Sequence, residues 1–218
     1  MKYGKLFISL FIGTSLMAFP SCNGILEDIY DEPQKDLYGF KEVATSEKIG
    51  TIYVNSSEYT RWIYMDFHRA EIDSAKIVNG GEEYVGEWDI AVHRWDTKTN
   101  EGRVMETSYT DLNDLVKAQT MPEGIFVADL ETDSTIIIDT SQMVDGIIGY
   151  TKGKVNPVLS QWLNVDTSTM PPIYTLNNKV YVIELKDGTK AAVQLSNYMN
   201  AAYTKGYLTI NYVYPLGF

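Results

Sequence analysis

From residue 48 to the end, apolar and polar positions alternate with a period of two, the spacing that places side chains on opposite faces of a strand. In Tyr207-Leu208-Thr209-Ile210-Asn211-Tyr212-Val213-Tyr214, the residues Leu208, Ile210, Tyr212 and Tyr214 fall on one face. Residues 179–186 and 189–195 flank Asp187-Gly188, and a two-residue Asp-Gly connection predicts a hairpin because both positions tolerate positive φ. Further strands are predicted over residues 50–55, 61–67, 87–94, 124–129 and 135–139. Helical periodicity is weak, with room for two or three turns at 111–119 and at 196–202. No repeat recurs at fixed spacing. The pattern predicts an all-β, mostly antiparallel single domain over residues 48–218 with one or two short helices.

A different pattern opens the chain. Met1 to Lys5 are weakly basic and residues 6–19 form a short apolar run, which suits a secretory signal better than a membrane span. Phe19-Pro20-Ser21-Cys22 follows, with a small residue before the cysteine. This resembles the loose lipobox of Bacteroidetes-type lipoproteins and implies a signal over residues 1–21 and lipidation of Cys22; the alternative is a plain secretory signal. The acidic run Glu27-Asp28-Ile29-Tyr30-Asp31-Glu32-Pro33 makes residues 22–47 read as a solvated tether, with a short packed helix around 25–30 as the alternative.

Composition narrows the chemistry. The 218 residues, 44% of them hydrophobic, are enough for a sizeable core. A net charge of −11, which becomes −13 once Lys2 and Lys5 leave with the signal, argues against nucleic acid and anionic lipid as partners. One cysteine excludes an intramolecular disulfide and Cys-rich metal sites, and two histidines exclude a three-histidine centre. Phosphate-loop, dinucleotide, H-E-x-x-H and G-x-S-x-G motifs are all missing. His68 beside Asp66 is a base in principle, but a surface histidine at a strand end is the simpler reading. The 29 acidic residues show no acid/base signature of a glycosidase, so no enzyme activity is expected.

Trp88-Asp89-Ile90-Ala91-Val92-His93-Arg94-Trp95 places Trp88, Ile90 and Val92 on one face, and predicts a buried Trp88 and a structural, hydrogen-bonded His93. With the exit at residues 96–100, this segment resembles a signature of the HmuY family, haem-binding lipoproteins of Bacteroidetes bacteria. Trp162-Leu163, then Pro172-Ile173-Tyr174-Thr175-Leu176, resembles a second block of that family. The Asp187-Gly188 hairpin and the ending Gly206 … Thr209-Ile210-Asn211-Tyr212-Val213-Tyr214-Pro215 fit as well, so the resemblance spans roughly residues 48–216.

The resemblance implies an all-β fold, and haem held between two axial side chains from loops, histidines in some members and methionines in others. The corresponding regions here contain no histidine. Each holds one methionine: Met143 within 139–146 and Met170 within 164–172. A thioether is a soft, neutral ligand that favours ferrous iron and needs no deprotonation. Alone, each methionine reads first as a flexible filler at the core edge; the resemblance turns the reading toward ligation. Met65, Met105, Met121 and Met199 read as packing. Lys152, Lys154 and Lys179 are weak candidates for haem propionates. The resulting expectation is a surface, lipid-anchored haem carrier that takes haem, with host haemoproteins as one source, and passes it to a TonB-dependent outer-membrane receptor. The competing expectation is a cofactor-free β-rich lipoprotein that binds glycan or protein.

Overall fold

The computed structural model describes residues 38–41, 49–78, 81–82, 84–169 and 171–218. In chain order the strands are β1 (Gly39–Phe40), β2 (Gly50–Asn55), β3 (Arg61–Asp66), β4 (Glu71–Val78), β5 (Gly81–Glu82), β6 (Ile90–His93), β7 (Asp96–Thr99) and β8 (Arg103–Glu106). After helix α1 (Leu112–Ala118) come β9 (Val127–Ala128), β10 (Leu130–Asp139), β11 (Gly149–Val155), β12 (Leu163–Asp166), β13 (Ile173–Leu176), β14 (Tyr181–Glu184), β15 (Lys190–Met199) and β16 (Lys205–Val213). All pairings are antiparallel. The all-β expectation holds.

A seven-stranded sheet, in the order β1-β2-β16-β15-β14-β8-β9, packs on a five-stranded sheet, β5-β4-β3-β6-β7. Strand alternation explains the layers. Ile52, Val54, Leu208, Ile210, Val193 and Ile183 from the first sheet meet Ile63, Met65, Ile90 and Val92 from the second in the main core. The opposite face of the large sheet carries Val180, Val182, Ala192 and Met105, which α1 covers with Leu112 and Leu115. The opposite face of the smaller sheet carries Trp62, Tyr64 and Ala91, covered by Ile136, Ile138 and Val155 of the β10–β11 hairpin. Asp111 caps α1 by accepting the Asn113 N–H at 2.8 Å, which accounts for a helix in so β-rich a chain.

Three expectations change. The second helix, at 196–202, is instead the end of β15 and the start of the turn after it: Asn197 pairs with Thr209 and Met199 with Lys205, across two bulges that break the simple alternation. The Asp187-Gly188 hairpin has a three-residue loop in which only Gly188 takes positive φ, +84°. Its Gly188 N–H meets the Leu185 carbonyl at 2.9 Å and its Leu185 N–H meets the Thr189 carbonyl at 2.8 Å, the turn-plus-bulge geometry that suits one glycine. Finally, Gly39 and Phe40, within the stretch read as tether, pair with Tyr53 and Ile52, and Phe40 packs against the core.

Candidate functional site

Two hairpins stand apart from the paired sheets, each a separate two-stranded ribbon. β10 and β11 pair as far as Asp139↔Gly149, so residues 140–148 form a tip that contains Met143. This loop is built from its own backbone. The Met143 N–H donates to the Thr140 carbonyl at 3.1 Å, the Gly146 N–H to the Met143 carbonyl at 3.0 Å, and the Ile147 N–H to the Gln142 carbonyl at 3.1 Å. Gly146 sits at φ +78°, where a side chain would be strained. The Asp139 carboxylate accepts the Ser141 N–H at 2.8 Å, which holds its pKa below the ordinary carboxylate value. Met143 is half-buried, whereas its neighbours Val144 and Ile147 are 99% and 57% exposed. The tip therefore offers a thioether among uncovered apolar side chains.

β12 and β13 pair from Leu163↔Leu176 to Asp166↔Ile173, which places residues 167–172 at the second tip. Met170 belongs to this tip by position and lies outside the described residues. Around it, Asp166 accepts the Ser168 N–H at 2.9 Å and the Thr169 hydroxyl donates to the Pro171 carbonyl at 3.2 Å. Ile173, where β13 begins, is 53% exposed.

Both hairpins are fastened at their bases. Asn156, fully buried after β11, donates to the Asp129 carboxylate before β10 at 2.9 Å and to the Val127 carbonyl at 3.0 Å. Its carbonyl oxygen accepts the N–H groups of Val158 and Leu159, and Asp129 also accepts the Thr99 N–H at 2.7 Å. At the other hairpin, the buried Trp162 donates its indole N–H to the Trp95 carbonyl at 3.2 Å, joining the two sequence blocks that carried the family resemblance. These polar anchors were missed. Asp129 and Asn156 look like ordinary turn residues in sequence, and only the closed hairpin brings them together.

The remaining candidates sort by surroundings. His93 is fully buried, with its Nε2 at 2.7 Å from the Tyr59 carbonyl and its ring 5.3 Å from that of Trp62, a structural role. Trp88 is half-buried, lying outside β6 and packed edge-on to Tyr64; the fully buried tryptophans are Trp62 and Trp162. The carboxylate of Asp66 accepts the backbone N–H groups of His68 and Arg69, so it shapes the turn instead of pairing as a catalytic dyad. His68 instead places Nδ1 3.3 Å from Asp89 and Nε2 3.0 Å from Asp187. Met65 and Met105 are buried, and Met121 packs against the α1 side of the large sheet. Lys154 lies 4.0 Å from Glu131, Lys152 is exposed on β11, and Lys179 follows β13 at the end away from the tip.

Comparison with known proteins agrees with this architecture. The model of the HmuY protein family matches residues 58–212. A candidate lipoprotein from Bacteroides fragilis is 49% identical, with a TM-score of 0.77 covering 82% of this chain and 95% of that one. A candidate HmuY-like haem-binding protein from Bacteroides vulgatus is 50% identical, with a TM-score of 0.76 covering 82% of this chain and 98% of that one. The apo HmuY analogue of Tannerella forsythia, 22% identical with a TM-score of 0.63 over 84% of this chain and 97% of that one, shares the fold. No protein of curated function matches the sequence.

Proposed function

Because this chain belongs to the HmuY family, we propose that it is a haem carrier in which Met143 and Met170 ligate the iron from two hairpin tips. The observation that carries the reading is the tip of β10–β11, where the half-buried Met143 thioether sits among the bare side chains of Val144 and Ile147. A flat apolar macrocycle covers such side chains, and exposed apolar groups clustered in this way mark binding surfaces. The donor chemistry fits as well: two neutral sulfurs suit haem iron and favour its reduced state. The protein's part is to hold the sulfurs and exclude water; bound haem would supply all the redox chemistry. Carriage requires no turnover.

In the fuller reading, residues 1–21 direct export, lipidated Cys22 and the segment between it and β1 tether the β-rich domain at the outer membrane or cell surface, and haem passes to a TonB-dependent receptor. Host haemoproteins are one source of that haem. Cys22→Ala should move the protein to the soluble fraction or leave it unprocessed, and full retention in membranes contradicts the anchor. Titration of the protein with haem tests the function itself. A saturable Soret band is expected, and its absence leaves a cofactor-free surface protein that binds glycan or protein.

A further inference from the structure

The two methionine loops are supported differently. Loop 140–148 is closed by its own backbone hydrogen bonds. Loop 167–172 depends on a neighbour: among the described residues, the one hydrogen bond reaching it from the body of the fold is from the Lys205 ammonium to the Pro172 carbonyl, at 3.2 Å. The same Nζ lies 4.0 Å from the centre of the Tyr174 ring, two residues further along the hairpin. Tyr174 stacks on Tyr198 of β15 with ring centres 5.6 Å apart, and the Tyr198 hydroxyl donates to the Tyr174 carbonyl at 3.4 Å.

Lys205 is itself well rooted. It begins β16 opposite Met199, beyond a turn in which the Asn200 side chain accepts the N–H groups of Ala202 at 3.0 Å and Thr204 at 2.9 Å. An ammonium–carbonyl hydrogen bond is charge-assisted, and the ring contact adds cation–π attraction. Pro171 and Pro172 each have a fixed φ, which limits how this end of the loop can rearrange about the Pro172 anchor.

We infer that Lys205 is a positioning residue that holds the Pro172 end of the 167–172 loop, the loop whose sequence carries the proposed ligand Met170. This rests on the reading of Met170 as a ligand. Lys205→Met keeps the aliphatic stem and removes the ammonium. In the full chain loaded with ferrous haem, it should speed haem release on the order of tenfold, the loss of one charge-assisted hydrogen bond. It should also reduce the six-coordinate low-spin fraction, and Lys205→Arg should restore both. In the haem-free protein, Lys205→Met should raise hydrogen exchange at residues 173–176 while the melting temperature stays near wild type. Should Lys205→Met fail to fold, Lys205→Gln carries the same test. Wild-type release and spectrum in Lys205→Met, with both altered in Met170→Ala, overturn the positioning role and leave the ligand reading standing. If Met170→Ala itself changes neither, the ligand reading fails and the inference falls with it.

Discussion

Asn156 donates to the Asp129 carboxylate at 2.9 Å across the base of the hairpin that ends at Met143. One fully buried amide thereby joins the strand entering the hairpin, the strand leaving it, and the 3-10 turn over Leu159–Trp162 that leads to the second hairpin. Its backbone N–H adds a bond of 2.6 Å to the Thr97 carbonyl on β7. Satisfied buried polar networks of this kind fix one arrangement, because any member lost strands its partners without water.

Asn156→Ala should therefore cost about 2–4 kcal/mol, since it leaves Asp129, the Val127 carbonyl and the N–H groups of Val158 and Leu159 short of partners. Chemical denaturation measures this directly. A loss below about 0.5 kcal/mol, the range of ordinary surface substitutions, contradicts the anchoring role.

His68 links the two sheets electrostatically. It lies in the turn between β3 and β4, and its ring nitrogens face Asp89 at 3.3 Å and Asp187 at 3.0 Å, the latter in the β14–β15 turn. Asp66, Arg69 and the Tyr214 ring complete its surroundings. The hydrogen bond to Asp187 raises the His68 pKa above 6.5, partly opposed by burial. The folded protein then binds the proton more tightly than the unfolded chain. The His68 contribution is full below pH 6.5 and is lost as pH rises through the folded pKa. The stability difference between wild type and His68→Asn should shrink across that window and shrink further in high salt. A difference independent of pH from 5.5 to 8 contradicts the link.

Lys98 produces the opposite slope. On β7 it is 6% exposed, with Nζ 4.3 Å from the Trp62 ring centre, 5.1 Å from Tyr64 and 5.4 Å from Trp88. Burial pulls its pKa from 10.5 down to about 7. The unfolded chain then holds the proton between those values and the folded protein does not, so this residue makes stability rise with pH above about 7. Lys98→Met keeps the packing volume and removes the titration. It should remove this rise between pH 7 and 9.5. A variant with the wild-type slope contradicts the assignment.

Local pattern made much of this fold legible. β2 coincides with its predicted span, the predicted helix at 111–119 begins at the Asp111 cap, and Leu208 and Ile210 share the buried face expected of them. The predictions failed where tertiary contacts set the outcome. β4, Glu71–Val78, is absent from the predicted strands because its polar residues blur the alternation, and it pairs along β3 with Ser74 opposite Ile63 and Ile72 opposite Met65. Trp88 looked like core because it keeps the parity of Ile90 and Val92, yet the chain enters β6 only at Ile90 and leaves Trp88 beside Tyr64. The methionine loops were visible only through the family resemblance, since a lone methionine in a polar stretch carries no periodic signal. No pattern pointed to Lys205, because its partners Pro172 and Tyr174 are 33 and 31 positions away.

The ligand pair is tested most directly by the visible spectrum of ferrous haem bound to wild type, to Met143→Ala, to Met170→Ala and to the double variant. With two thioethers on the iron, wild type should give a six-coordinate low-spin ferrous spectrum and bind ferrous haem more tightly than ferric, because sulfur ligation and reduction are thermodynamically linked. Each single variant should shift toward five-coordinate or water-ligated iron with weaker binding, and the double variant should lose nearly all affinity while remaining folded. A folded double variant that keeps the wild-type reduced spectrum and affinity contradicts ligation by Met143 and Met170.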